Sequence, residues 1–377
     1  MNIAVFFGGE SCEHDISIIT GVQLINNCDA YLYNIIPVYI DKNGDWYTGN
    51  KLKDIDLYSQ KDFLKSKGVK KCTLLSNCKT LYFFARNKVK KYIDIDCAII
   101  CMHGLRGEDG CLAGVLEMCG IPYCSTSIMG SSICLDKGVF KTVCKGLGIE
   151  CVDGFTVSEN ELLLDSASLL EKIEKFGFPI ILKPCRQGSS IGVCVVKNSD
   201  DLQKSLKKSF SFDKKVLIEK FVNIDKEVNI ALFEDKGKIV FSNTEEPKGN
   251  DVILSFNDKY LKNSGGFETI KRIVPADIST DCENYLKATA TKLYRELELF
   301  GVVRFDFIVS SNKVYVNEIN TIPGSMANYL FDKKSCDYSL LIQKLISNAI
   351  HRFNLNKDCV RVLDTKVLDG GFDFLKK

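Results

Sequence analysis

Residues 302–324 read VVRFDFIVSSNKVYVNEINTIPG. Two runs rich in β-branched and aromatic residues flank Ser310, Ser311 and Asn312, which favour a turn, so the spacing predicts a β-hairpin. Alternation along a strand puts Arg304 and Asp306 on one face and Val303, Phe305 and Phe307 on the other. On the second strand Glu318 and Asn320 fall together, in register with Val314 and Val316. A three-residue loop sets Arg304 opposite Glu318, with Asp306 on the diagonal. Asp306, Glu318 and Asn320 then form an all-oxygen donor set. It suits Mg²⁺, which takes few protein ligands and completes its shell with water and phosphate. The same residues would also serve as the solvated face of a half-buried hairpin, and the hairpin alone does not choose between the two.

Other residues upstream can bind phosphate and nucleotide. Gly188, Ser189 and Ser190 sit in a loop between two strand-like runs, where backbone N–H groups and hydroxyls can approach a phosphate closely. No Gly-Lys-Ser/Thr follows and no helix opens there, which excludes a Walker A loop and leaves a plain hairpin connection as the competitor. Lys183 ends the preceding strand and can act on the same phosphates as a point charge. Lys137 is a third such cation, or else a solvated helix lysine. Glu219, Lys220 and Val222 close another strand, with Glu227 a few residues on. The backbone of such a strand end can read adenine and the later carboxylate can take ribose hydroxyls; an ordinary edge strand with surface acids fits equally.

The elements that must hold these residues follow an α/β pattern. Residues 2–7 form an apolar strand, Gly8 and Gly9 a turn, and residues 16–25 a helix, the opening of a unit whose ligands collect at the strand's carboxyl end. Two adjacent glycines are not G-x-G-x-x-G, so a dinucleotide fingerprint is excluded. A strand is expected at 34–40. Residues 50–95 read as polar and irregular, with one short strand pair at 73–75 and 80–84. A buried strand at 97–101 leads into a loop dense in glycine and charge from His103 to Gly110, then a helix at 112–118. Helical periodicity runs through 128–147. Strands are expected at 178–184, 193–196, 216–221, 227–233 and 238–243, a long loop at 245–267, and helices at 282–300 and 339–353.

At 377 residues the chain is too long for one small core, which predicts two or three domains. Its net charge of +2, with no basic block, argues against nucleic acid and anionic membrane surfaces as partners. The 17 cysteines are odd in number, irregularly spaced and often within apolar runs, with no C-x-x-C pair and only 3 histidines. That excludes a disulfide framework and a zinc site, and predicts core thiols in a reducing cytoplasm. The opening MNIAVFF lacks a basic n-region and no apolar run reaches membrane-spanning length, so no membrane association is expected.

Taken together, these segments resemble the ATP-grasp superfamily, and within it the D-alanine–D-alanine ligase family. The resemblance rests on GGESCEHDIS at 8–17, HGLRGEDGCLAGVLE at 103–117, LDK at 135–137, ILKPCRQGSSIGV at 181–193, IEKFVNIDKEVNIAL at 218–232, DKY at 258–260 and RFDFIVSSNKVYVNEINTIPG at 304–324. Each motif is weak by itself; their order along most of the chain carries the family. The implied fold is a three-domain α/β (α+β) ATP-grasp architecture with an N-terminal Rossmann-like parallel sheet. Its parts are a substrate-binding domain at 1–124, a central ATP-grasp subdomain at 125–219, and a catalytic domain at 220–377 carrying a lid loop at 245–267.

The implied reaction joins two D-alanines through an acyl phosphate, using ATP and two Mg²⁺ (or Mn²⁺) ions, to supply D-alanyl-D-alanine for peptidoglycan. By matching positions, Asp306, Glu318 and Asn320 hold metal, and Lys137, Lys183 and Lys259 offset triphosphate charge. Arg304 and the Gly324 amide stabilise the transferring phosphoryl and the tetrahedral intermediate, an amide position where close approach favours glycine. Glu13 takes the ammonium of the first D-amino acid, Ser189 and Tyr260 complete a hydrogen-bonded set with it, and His103 lies near that substrate. Lys220 and Val222 meet adenine beside Glu219, and Glu227 meets ribose. The resemblance also implies a cytoplasmic homodimer. One departure stands out: Tyr329 occupies the position where the family carries a serine for the second substrate's carboxylate. It leaves open an acceptor such as D-serine, and a non-catalytic ATP-binding relative is the remaining alternative. The tail at 356–377 extends past the usual family end.

Overall fold

The computed structural model describes residues 1–86, 88–248, 272–311 and 313–365. Its first sheet takes β1 (Asn2–Gly8), β2 (Asn34–Ile40), β3 (Trp46–Thr48), β4 (Lys70–Leu74), β5 (Thr80–Ala85), β6 (Lys88–Asp94), β7 (Cys97–Ile100) and β8 (Tyr123–Cys124), in the order β6-β5-β4-β3-β2-β1-β7-β8. β1 is buried from Ile3 to Gly8, so it needs neighbours on both edges and cover on both faces. β2 and β7 flank it in parallel, and β8 extends the parallel part beyond β7. Helix α1 (His14–Asn27) covers one face, and helix α2 (Cys111–Met118) follows β7. The strand pair expected at 73–75 and 80–84 is present as β4 and β5, but residues 50–95 are more regular than expected, since a third strand, β6, joins them. β4, β5 and β6 continue the sheet antiparallel, and β6 is exposed along nearly all its length, so it carries no alternation to read.

The expected helical stretch at 128–147 is two helices, α3 (Ile128–Leu135) and α4 (Lys137–Gly146). Asp136 separates them. Its carboxylate accepts from the N–H groups of Gly138 and Val139, at 3.0 Å each, and caps α4, which makes Lys137 the first residue of that helix. The second sheet, ordered β11-β10-β12-β9, takes β9 (Gly154–Ser158), β10 (Ile180–Pro184), β11 (Cys194–Val196) and β12 (Lys215–Lys220). Helices α5 (Glu159–Leu164), α6 (Ser166–Phe176) and α7 (Leu202–Phe210) belong to this part of the chain.

The third sheet is ordered β15-β14-β13-β16-β17, from β13 (Lys226–Asp235), β14 (Lys238–Pro247), β15 (Arg272–Ile273), β16 (Val303–Ser310) and β17 (Lys313–Asn320). Helices α8 (Thr280–Glu296) and α9 (Tyr338–Leu355) complete the fold. β14 runs to Pro247, so residues 245–247 are strand rather than the start of a lid. The remainder of the expected lid, 249–267, with Lys259 and Tyr260, lies outside the described residues, as do 268–271 and the tail from 366 on.

Three apolar cores form around the three sheets, and they do not follow chain order. Cys134, Phe140 and Cys144 of α3 and α4 pack into the core of the third sheet, with Val228, Ile230 and Phe305. Leu341, Ile342 and Leu345 of α9 pack into the core of the first sheet, with Ile3, Val5 and Ile99. Among the described residues, no helix is long and apolar enough to cross a membrane.

The hairpin at 302–324 is present, and Val303, Phe305 and Phe307 are buried as the alternation requires. Its register differs from the expected one. Ser310 pairs with Lys313, so the turn has two residues, and Ser311 takes a left-handed φ of 48°. Phe307 faces Val316 while Asp306 faces Glu318, which leaves Asn317 as the extra residue of a β-bulge. The pairs are therefore Asp306 with Glu318 and Arg304 with Asn320. Across the sheet, Glu245, Asn229, Asp306 and Glu318 line up as successive partners on β14, β13, β16 and β17.

Candidate active site

A cavity of about 690 Å³ opens where the three sheets meet. Its lining takes Glu13, Ser189, Arg304, Gly324, His103 and Tyr329, together with Lys137, Lys183, Glu219, Lys220, Val222, Glu227, Asp306, Glu318 and Asn320. Every candidate residue within the described part of the chain thus reaches one space, although these residues come from loops and strands more than 300 positions apart.

At one end the Ser189 hydroxyl donates to Oε1 of Glu13, joining the loop after β10 to the start of α1. Ser189 and Ser190 both adopt left-handed backbone, with φ of 52° and 59°. Gly188 packs directly on Glu13: a Cβ there would stand 2.7 Å from Oε2 of Glu13 and 3.1 Å from its carboxyl carbon, so the Glu13 carboxylate would have to move. Gly188→Ala is therefore expected to push Glu13 aside and raise the KM of whatever cation Glu13 holds by roughly tenfold, with stability little changed; steady-state kinetics and thermal melting check this together. By contrast, a Cβ at Gly324 would meet nothing within 4 Å, so no protein neighbour demands glycine at that position.

Beneath Glu13, the His103 N–H donates to the Ser17 hydroxyl at 2.8 Å, and its Nε2 pairs with the Thr20 hydroxyl at 2.8 Å. Burial holds the imidazole below its usual range, which keeps it neutral near pH 7. Glu108 accepts from the N–H groups of Gly104, at 2.8 Å, and Ile322, at 3.2 Å, and so ties the loop after β7 to the segment after β17. Burial, aided by the nearby Glu13 charge, pushes its carboxyl up to about 8 against the pull of those two bonds.

The lysines are spent on carboxylates. Lys137 donates to the Gln187 carbonyl at 2.8 Å and pairs with Glu318 at 3.2 Å. Burial disfavours its charge, but Glu318 outweighs burial and its pKa is raised. Lys183 pairs with Glu219 at 2.6 Å and donates to Asn317, the bulge residue, at 3.1 Å. Glu219 takes a second cation, Lys141, at 2.5 Å. Burial would raise the Glu219 carboxyl, but Lys183 and Lys141 outweigh it and hold the group below its usual range. The Lys220 ammonium donates to the carbonyls of Phe176 and Gly177 at the carboxyl end of α6, so its charge is spent away from the cavity.

On the third sheet Arg304 grips Asp306 with both prongs, Nε to Oδ1 and Nη2 to Oδ2, each at 2.7 Å. Burial works against the guanidinium, yet Asp306 raises its pKa well above the ordinary value. Asn320 donates its amide nitrogen to Oδ2 of Asp306 at 3.0 Å. Tyr329 lies under the guanidinium of Arg272, 4.3 Å from ring centroid to carbon.

Asp306, Glu318 and Asn320 offer two carboxylates and an amide oxygen on adjacent strands, a donor set that fits a divalent cation such as Mg²⁺ or Mn²⁺. Among the described residues, no group of three or more His, Cys, Asp or Glu is placed to hold a metal, so the amide and ligand oxygens must complete any shell.

Sequence reasoning missed Lys141, Glu108, Asn317, Glu245 and Arg272, all of which stand in or against this site. Lys141 carried a readable signal, since it lies one helical turn after Lys137. Asn317 emerges only from the bulge, and Glu245 was hidden in a presumed loop.

Comparison with known proteins matches this arrangement. Residues 2–126 fit the family model for the D-ala D-ala ligase N-terminus, and residues 143–347 that for the D-ala D-ala ligase C-terminus. The D-alanine–D-alanine ligase of Thermosipho melanesiensis is 37% identical over 371 residues, covering 98% of each chain. The solved structure of the D-alanine–D-alanine ligase from Coxiella burnetii superposes with a TM-score of 0.79 at 26% identity, over 94% of this chain and 95% of that one. The Bacillus anthracis D-alanine–D-alanine ligase complexed with ATP does so with a TM-score of 0.67 at 25% identity, over 94% and 99%. With both family models matched and near-complete coverage of its relatives, this chain belongs to the D-alanine–D-alanine ligase family, carboxylate–amine ligases of ATP-grasp fold.

Proposed function

We propose that this protein joins two D-alanines at the expense of ATP, through an acyl phosphate, to supply D-alanyl-D-alanine for peptidoglycan. The observation that supports this most is the convergence of the Glu13–Ser189 pair, the Lys137–Glu318 and Lys183–Glu219 contacts and the Arg304–Asp306 fork on one 690 Å³ cavity. The carboxylate of Glu13 faces the ammonium of the first amino acid, and Ser189 keeps it aimed. Lys137 and Lys183 exchange part of their carboxylate contacts for phosphate oxygens, and Lys141 stays on Glu219. The main chain at Lys220 and Val222 takes the adenine, and Glu227 the ribose.

Arg304, pre-aimed by Asp306, stabilises negative charge on the transferring phosphoryl and on the tetrahedral carbon, assisted by the Gly324 N–H. Asp306, Glu318 and Asn320 would hold Mg²⁺ or Mn²⁺, two ions by family resemblance. When bound, such ions neutralise phosphate charge and align the triphosphate. Lys259 and Tyr260 belong to the same reading as lid residues. We also carry forward the division of the chain at 1–124, 125–219 and 220–377, supported by sheets that end at Cys124 and Lys220, and a cytoplasmic homodimer, supported by family resemblance.

The test is direct. Purified protein with ATP, Mg²⁺ and D-alanine is expected to release ADP and form the dipeptide; neither product appearing would overturn the reading. Tyr329, which borders the cavity in place of a serine, favours one variant: an acceptor other than D-alanine, such as D-serine. A panel of D-amino acids decides, and clear preference for D-alanine removes that variant.

A further inference from the structure

The ligation proposed above joins two amino acids, yet Glu13 provides for only one ammonium. The second must be held near Arg304. At the end of the Asp306 row opposite Glu318 stands Glu245, only 3% exposed. Its Oε1 accepts from Asn229 at 3.3 Å, while its Oε2 has no hydrogen-bond partner among the described residues. A buried carboxylate oxygen left open costs stability, which points to a donor that none of the described residues supplies. Arg272, paired with Pro247 across β14 and β15, brings Nη1 to 3.8 Å from that oxygen, beyond hydrogen-bond reach. Both side chains line the cavity, and the Tyr329 ring beneath the guanidinium fixes its plane. The result is a charge pair held close but not closed.

We propose that Glu245 and Arg272 bind the α-ammonium and the α-carboxylate of the acceptor amino acid, with Tyr329 as a positioning residue for Arg272. This assignment rests on the ligase reading. An α-amino acid carries the complementary pair of charges at similar separation, so it satisfies both groups at once. Arg272 thereby does the work that a serine hydroxyl at 329 would otherwise do, and Glu245 selects a zwitterion over a 2-hydroxy acid of the same size.

The test uses the full-length protein with ATP, Mg²⁺ and D-alanine, and two nucleophiles. Acceptor D-alanine gives dipeptide. Hydroxylamine, a small neutral amine, gives D-alanine hydroxamate: its nitrogen bonds to the acyl carbon, the carbon–oxygen bond to phosphate breaks, phosphate leaves with the electron pair, and the nitrogen proton passes to solvent. Arg272→Met and Glu245→Gln are expected to slow dipeptide formation at sub-saturating D-alanine roughly 10- to 100-fold, the scale of one charge-assisted hydrogen bond. Hydroxamate formation, which needs only ATP and the first amino acid, should stay within about twofold of the parent protein. Arg272→Lys should recover part of the loss. Equal losses in both assays, or no loss in either, overturn the assignment. So does a parent protein that ligates D-lactate as readily as D-alanine. A parent protein that forms neither product sinks the ligase reading itself, an outcome distinct from all of these.

Discussion

Replacing Arg304 by Met is expected to lower kcat by roughly 10²–10³, with a much smaller change in the KM for ATP. The guanidinium is part of the cavity wall, and Asp306 holds it by two parallel 2.7 Å bonds. It therefore meets the reacting centre already oriented, and its effect is greatest where charge develops. Methionine keeps the length of the side chain and removes the charge. Arg304→Lys is the informative companion. It restores a cation but cannot reproduce the two-pronged grip on Asp306, so it should recover only part of the rate. A methionine variant turning over within about threefold of the parent protein would place the charge stabilisation elsewhere.

Glu219→Gln should act chiefly on stability. Glu219 is 3% exposed and holds Lys141 at 2.5 Å and Lys183 at 2.6 Å, both themselves largely buried. Removing the shared anion strands two cations in a place that water reaches poorly, which typically costs about 3–5 kcal/mol. The readout is the denaturation midpoint without nucleotide. ATP, whose phosphates would offer Lys183 another anion, should restore part of the loss. A double variant, Lys141→Met with Glu219→Gln, should lose less than the sum of the two single losses, because the methionine removes one of the stranded charges. A midpoint unchanged in Glu219→Gln would show that the triad is not a buried charge network.

How much of this was legible in the sequence depends on which physical rule governed each residue. Strand alternation is a strict period of two, so the shared face of Arg304 and Asp306 could be read directly and is found. Register obeys no such rule. The two-residue turn and the bulge at Asn317 moved Glu318 opposite Asp306 rather than Arg304, and neither shows in composition. Glu245 was illegible for a related reason: its importance lies in being the fourth member of a row across the sheet, and a row exists only once four separated strands have paired. Lys141 failed differently, since its helical spacing from Lys137 was visible but its partner Glu219, 78 positions on, was not. β6 escaped because an exposed edge strand has no buried face to impose a pattern.

The packing of α9 bears on how this chain is made. The core of the first sheet includes Leu341, Ile342, Leu345, Ile346 and Ala349, with Phe233 and Ile322 from the third sheet's portion of the chain. During synthesis the amino-terminal strands leave the ribosome long before these side chains do. The N-terminal sheet must then wait, with an apolar face unsealed, until nearly the whole polypeptide has emerged. Closure of that face is a contact between distant parts of the sequence, a slow event by topology, and one that a chaperone is suited to shelter.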